Sequence, residues 1–119
     1  MPRLQLFFAA ALALSSVTAW AQTAPKGDAL KGQKTYVSYG CYQCHGYQGQ
    51  GSNAGPHLAP NPFPFVAFSN QLRHPRARMP VYTPNTASNQ ELADIYAYLL
   101  TIPMVKTVAE ISLLADAPR

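Results

Sequence analysis

Residues 41–45 of this chain read Cys-Tyr-Gln-Cys-His, and that stretch constrains the fold more than any other. Two cysteines three apart, followed at once by histidine, form the attachment pattern of a c-type haem. Each thiol adds to one vinyl group, and the intervening pair lets the backbone turn so that both sulfurs reach one edge of the macrocycle. The histidine then lies under the iron, where its imidazole can be a proximal ligand. A chain built this way must wrap a flat apolar disc and supply a second axial ligand. Three other readings of a Cys-x-x-Cys stand beside this one: a thioredoxin-like redox pair, a structural disulfide and half a zinc site. The redox pair needs a β-α-β setting, and no strand-helix-strand pattern is present. A zinc site needs further paired ligands, and His57 and His74 form no second cluster.

The remaining sequence narrows these choices. Residues 1–21 read as a cleaved secretory signal, with Arg3 as the positive region, Leu4 to Val17 as the apolar region and Ala19-Trp20-Ala21 as the cleavage site. The apolar region has 14 residues, against the roughly 20 of a membrane-spanning helix, which favours cleavage over anchoring. No later stretch is long and apolar enough to span a membrane. The predicted mature chain is exported, which in a bacterium means the periplasm. Cys41 and Cys44 are the only cysteines. In an oxidising compartment they would pair if left alone, whereas haem attachment consumes both. The formal charge of +4 falls to +3 without Arg3, eight Lys and Arg against five acids, and two haem propionates would bring it near +1. There is no dense basic block and no aromatic-interleaved basic stripe, so nucleic-acid binding is disfavoured.

Beyond the signal, residues 22–103 read as one all-α domain and 104–119 as a C-terminal extension of unassigned conformation. Asp28 is an N-cap for a first helix over 28–39, with Leu30, Tyr36 and Val37 marking its apolar side. Gly32 inside that helix costs about 1 kcal/mol relative to alanine, which suggests a close backbone approach. Gly40 ends the helix just before the motif. Residues 46–64 are rich in Gly and Pro and have no periodicity, so they form a long loop. Phe65, Phe68 and Leu72 fall at helical spacing, placing a short helix over 65–73. Prolines 75, 80 and 84 break the chain into a second loop that contains Met79. Ser88 and Glu91 make a capping box for the strongest helix, whose apolar positions are Leu92, Ile95, Tyr96, Leu99 and Leu100 and which Pro103 stops.

A six-coordinate iron needs a ligand opposite His45. The candidates are Met79, Met104, His57 and His74. Met104 follows the last helix among apolar residues and reads as a packing or surface methionine. His57 reads as a loop histidine, and His74, beside Arg73, Arg76 and Arg78, as a solvated residue. Met79 lies in the Pro-stiffened run Arg78-Met79-Pro80, 34 residues after His45. A thioether is a soft ligand that favours ferrous iron, so His/Met ligation raises the reduction potential. Met79 is therefore the expected distal ligand.

A first helix, the CxxCH, Gly55-Pro56-His57-Leu58, Met79-Pro80 and a terminal helix with Ala97-Tyr98-Leu99, in that order, resemble class I c-type cytochromes. The likeness is nearest to small bacterial monohaem proteins of the cytochrome c6 and cbb3-oxidase subunit type, and it covers roughly residues 27–103. The resemblance implies a class I cytochrome c fold, three to four helices wrapped around one covalent haem c with long Pro/Gly-rich loops. It implies thioethers at Cys41 and Cys44 and axial iron ligands at His45 and Met79. It also implies that the Pro56 carbonyl accepts the His45 Nδ1–H, and that Gly32 and Tyr36 meet the terminal helix near Ile95 and Tyr98. One extra residue near Tyr39-Gly40, the tail beyond Pro103 and the absence of a lysine ring depart from the mitochondrial members. Lys31, Lys34 and Lys106 are sparse by comparison.

The function so implied is electron transfer by a non-enzymatic carrier. Its partners would be redox proteins, a dehydrogenase as donor and an oxidase or another cytochrome as acceptor. The chain would work as a monomer or as a subunit of a periplasmic dehydrogenase or oxidase complex, and Val105, Val108, Leu113 and Leu114 permit the latter. An open-site haem enzyme or gas sensor is a third reading, and Met79 argues against it. Tyr42, Tyr47, Phe63, Phe65 and Phe68 are expected to cover the haem or pack the core. Arg73, Arg76 and Arg78 are read three ways: propionate partners, a docking patch or solvated charges.

Overall fold

The computed structural model describes residues 24–104, 106, 110 and 111. The signal segment and most of the C-terminal extension, including Val105, Val108, Leu113 and Leu114, lie outside the described residues. Four helices follow one another: α1 (Ala29–Ser38), α2 (Tyr42–His45), α3 (Phe65–Arg73) and α4 (Asn89–Leu100). Among the described residues the only β-type pairing is an isolated bridge between Ser52 and Gly55. The described residues are all-α, and their helices follow the order expected from the motifs.

Local chemistry explains where the helices begin and end. The Asp28 carboxylate accepts from the backbone N–H groups of Leu30 and Lys31, which satisfies two of the four unpaired donors of the first turn. Gly40, at φ +74°, takes the chain out of α1. The Ser88–Glu91 capping box forms in full at the start of α4. Helix α3 starts directly after Pro64 and ends at Arg73 ahead of Pro75, as its spacing predicts.

Packing centres on the crossing of α1 and α4. Tyr36, Leu92, Ile95 and Leu99 are wholly buried there; each such side chain contributes about 1.5–3 kcal/mol relative to exposure. Gly32 makes the crossing possible. A Cβ on it would collide with the Asp94 carbonyl and lie 2.8 Å from the Ile95 nitrogen, so only glycine lets the two backbones meet. The rings of Tyr36 and Tyr98 meet at a 58° tilt with centroids 5.6 Å apart. Helix α3 closes one end, where Phe65 and Phe68 both meet Tyr96 with centroids 5.4 Å apart.

One sequence expectation fails here. Leu30 is 75% exposed and Val37 41% exposed, so neither marks the core side of α1. The buried face is the narrower Gly32–Tyr36 stripe, because a close backbone crossing leaves no room for branched side chains beside it.

Candidate functional site

The CxxCH segment folds as one turn of helix. Cys41 is the N-cap of α2, and the His45 N–H donates to the Cys41 carbonyl over 3.0 Å. One helical turn puts the residues at both its ends on the same side. Cys41 and Cys44 are not joined in a disulfide; Cys41 is half-buried and Cys44 exposed. Burial pushes the Cys41 thiol up from its ordinary range, and a hydrogen bond with Tyr82 partly opposes that.

His45 is buried, and its Nδ1 lies 2.7 Å from the Pro56 carbonyl oxygen. A carbonyl only accepts, so the proton belongs on Nδ1 and the Nε2 lone pair remains available to a metal. The segment between the two residues is fastened back onto the motif. The Gly51 N–H donates to the His45 carbonyl over 2.8 Å, and the Ser52 hydroxyl to the Cys44 carbonyl over 2.6 Å. The Gly49 carbonyl accepts from Leu58 and Ala59 at 2.6 and 3.0 Å. Gly55 brings this loop against the imidazole: a Cβ there would stand 3.0 Å from His45 Nδ1 and Cε1.

Two buried phenols hold the other side of the segment. The Tyr36 hydroxyl donates to the Gly46 carbonyl over 2.8 Å and the Tyr98 hydroxyl to the Tyr47 carbonyl over 2.7 Å. Burial raises the pKa of both tyrosines, with lesser contributions to Tyr36 from Cys41 and Tyr98. Both hydroxyls therefore stay protonated donors. The sequence places these residues at the helix crossing, but no local signal reveals that they also clamp the backbone just after His45. Tyr42 and Tyr47 stack face to face, with centroids 4.4 Å apart.

Met79 lies in the loop between α3 and α4. It is half-buried and packs against the core cluster, as do Cys41, Tyr42, Leu58, Phe65 and Tyr82. The Gln71 amide points at its sulfur from 4.0 Å. Three residues further on, the Tyr82 hydroxyl donates to the Tyr39 carbonyl over 3.2 Å and its ring faces that of Tyr39 at 6.0 Å. The Met79 loop is thereby tied to the segment that leads into Cys41.

The other candidates lie elsewhere. His57 and His74 are exposed. Met104 is 64% exposed, and its sulfur receives the Asn61 amide at 3.3 Å. Phe63 is 74% and Tyr47 60% exposed, so neither is a core residue in this structure, whereas Phe68 is buried. Arg73 is more than a solvated charge, since its guanidinium donates to two backbone carbonyls and an asparagine. Arg76 and Arg78 are exposed.

The residues present fit a covalently bound haem. Two thiols three apart flank one helical turn, and a buried imidazole with its tautomer set follows directly. Half-buried apolar side chains, a thioether among them, pack on the same core. Among the described residues, no helix is long and apolar enough to cross a membrane.

Comparison with known proteins agrees with this chemistry. A model of the family described as cytochrome C oxidase, cbb3-type, subunit III matches residues 27–99. Among solved structures, cytochrome cL from Hyphomicrobium denitrificans is similar, with 22% identity and a TM-score of 0.48. That match covers 74% of this chain and 54% of the other, so the chain spans about half the length of that protein. No curated protein matches the chain.

Proposed function

The chain belongs to the family of cytochrome C oxidase, cbb3-type, subunit III, and on that premise we propose that it carries single electrons in the periplasm, between a donor dehydrogenase and a respiratory acceptor, without catalysing a reaction of its own. Haem c, the family's covalent cofactor, supplies a one-electron Fe(II)/Fe(III) couple when bound. In this reading Cys41 and Cys44 hold it through thioethers, His45 through Nε2 and Met79 through its sulfur.

The observation that carries the reading is the 2.7 Å contact between His45 Nδ1 and the Pro56 carbonyl. It orients the ring, sets the tautomer and makes the imidazole a better donor. Met79 contributes a soft thioether that favours the ferrous state. Apolar side chains around both residues exclude water and so disfavour added positive charge, which also raises the potential. The periplasmic location rests on the export signal read in residues 1–21.

Exposing the reduced holoprotein to carbon monoxide tests this reading. A carrier with both axial positions filled binds the gas slowly, because Met79 must first leave. Rapid binding points instead to an open-site haem enzyme or sensor.

A second reading is favoured by the family description, which names an oxidase subunit. In it the chain is a fixed electron-passing subunit of a periplasmic dehydrogenase or oxidase complex. Gel filtration of native extract separates the two: a carrier elutes as a small monomer, a subunit with its enzyme.

A further inference from the structure

The loop that carries Met79 is closed at its root by one residue. Tyr82 N–H donates to the Leu72 carbonyl over 2.9 Å, so residues 74–81 leave α3 and return to its last turn. Arg73, the last residue of α3, then bridges the return. Its Nη1 donates to the Tyr82 carbonyl over 2.6 Å and to the Ala87 carbonyl over 2.7 Å, and its Nη2 donates to Asn89 Oδ1 over 2.7 Å. Residues 75–81 make no backbone hydrogen bonds among themselves, and Pro75 and Pro80 contribute no N–H. Beyond the packing of Met79 on the core and the Gln71 amide at its sulfur, the hydrogen bonds that hold this loop lie at its root.

We propose that Arg73 is a positioning residue for Met79, closing the loop so that the thioether is held where an axial ligand must stand. The inference rests on the reading of Met79 as the distal ligand. The contacts form a ring: Arg73 to Tyr82, the Tyr82 hydroxyl to the Tyr39 carbonyl, the Tyr39 hydroxyl to Glu91, Glu91 to Ser88, and Asn89 back to Arg73. The ring joins the Met79 loop, the approach to Cys41 and the start of α4. A guanidinium suits its hub because its planar fork reaches three acceptors at once while keeping its charge; an ammonium is a point charge on a flexible stem and cannot hold all three in that plane. Arg73 is the one arginine of the 73–78 cluster so used, and Arg76 and Arg78 remain exposed.

The test uses purified holoprotein of the wild type, Arg73→Gln, Arg73→Lys and Asn89→Ala. The ferric Fe–S charge-transfer band and helical circular dichroism are followed together on heating, and carbon monoxide binding is timed in the reduced state. In Arg73→Gln the band is expected to vanish well before the helices melt. Its carbon monoxide binding accelerates by about tenfold to a hundredfold, the range one charge-assisted hydrogen bond sets. Arg73→Lys falls between Arg73→Gln and the wild type, and Asn89→Ala stays nearer the wild type. A residue important only for stability would move band and helices together. That result, or a binding rate within about twofold of the wild type, overturns the proposal. If Arg73→Gln does not accumulate as holoprotein, Arg73→Lys is judged by the same two criteria. A wild type lacking the band removes Met79 from the iron and the Arg73 role with it; a wild type with the band and an unaffected variant overturns the Arg73 role alone.

Discussion

The Pro56 carbonyl oxygen lies 2.7 Å from Nδ1 of His45, with the intervening loop folded back on Cys44 and His45 by further hydrogen bonds. Because the acceptor is backbone, the contact depends on where the loop runs and not on the proline ring. Pro56→Ala keeps the acceptor and should cost only about 0.4–1 kcal/mol, through a freer unfolded chain. Gly55→Val puts side-chain atoms against the imidazole. It should displace the ring and weaken the bond, which leaves the imidazole a poorer donor, favours the ferrous state and raises the reduction potential. Potentiometry of both variants checks this: equal potentials would show that the loop does not aim His45.

Gly32 sets the distance between α1 and α4. Gly32→Ala should destabilise the holoprotein by about 3 kcal/mol, since the colliding group is the Asp94 backbone and cannot rotate away. Denaturant unfolding measures it; a loss below about 1 kcal/mol would mean that the crossing yields easily.

Tyr39 and Glu91 make a pH-dependent latch between the approach to Cys41 and α4. The hydrogen bond from the Tyr39 hydroxyl, followed by those from Ser88, holds the Glu91 carboxyl below its ordinary value of 4.5. Stability from this lowered group is present above that value and lost as pH falls through the folded one. The same carboxylate, together with burial, pushes Tyr39 up from 10.0 to about 12. Stability from this raised group is complete below 10.0 and fades as pH rises toward about 12. Tyr39→Phe should therefore be less stable than the wild type near neutrality, with the gap closing at both extremes. Melting temperatures across pH test this, and a gap independent of pH contradicts it.

Much of this was readable from local patterns. The Asp28 cap, the Ser88–Glu91 box and the spacing of Phe65, Phe68 and Leu72 are signals within a few residues, and the helices follow them. The His45–Pro56 contact was implied by resemblance, because Gly-Pro-x-Leu follows the motif at the right interval. What escaped reading depends on separation in sequence. Arg73 meets acceptors 9 to 16 residues away, and a cluster with Arg76 and Arg78 looks like surface charge. Asp94, buried in α4, accepts from the Asp28 N–H 66 residues distant. Leu30 and Val37 misled because hydrophobicity alone does not say which stripe a glycine crossing will choose.

Removing the cofactor should unmake much of the fold. The Cys41→Ala, Cys44→Ala chain cannot hold haem covalently. Its half-buried Tyr42 and Phe65 then lose the group they are expected to cover, and Met79 the iron it is expected to bind. Without the haem those apolar side chains lose their packing partner, so this variant should show weak helical signal and no cooperative melt. A sharp, wild-type-like transition would mean that the protein core suffices without haem.

In the proposed reading, His45 and Met79 hold the two faces of one covalent haem iron. Anaerobic redox titration with optical spectra, on the wild type and Met79→Ala, addresses it most directly. The wild type should show a single one-electron transition and an Fe–S charge-transfer band. Met79→Ala should lose that band and have a lower potential. A Met79→Ala protein with the band and potential unchanged would contradict it.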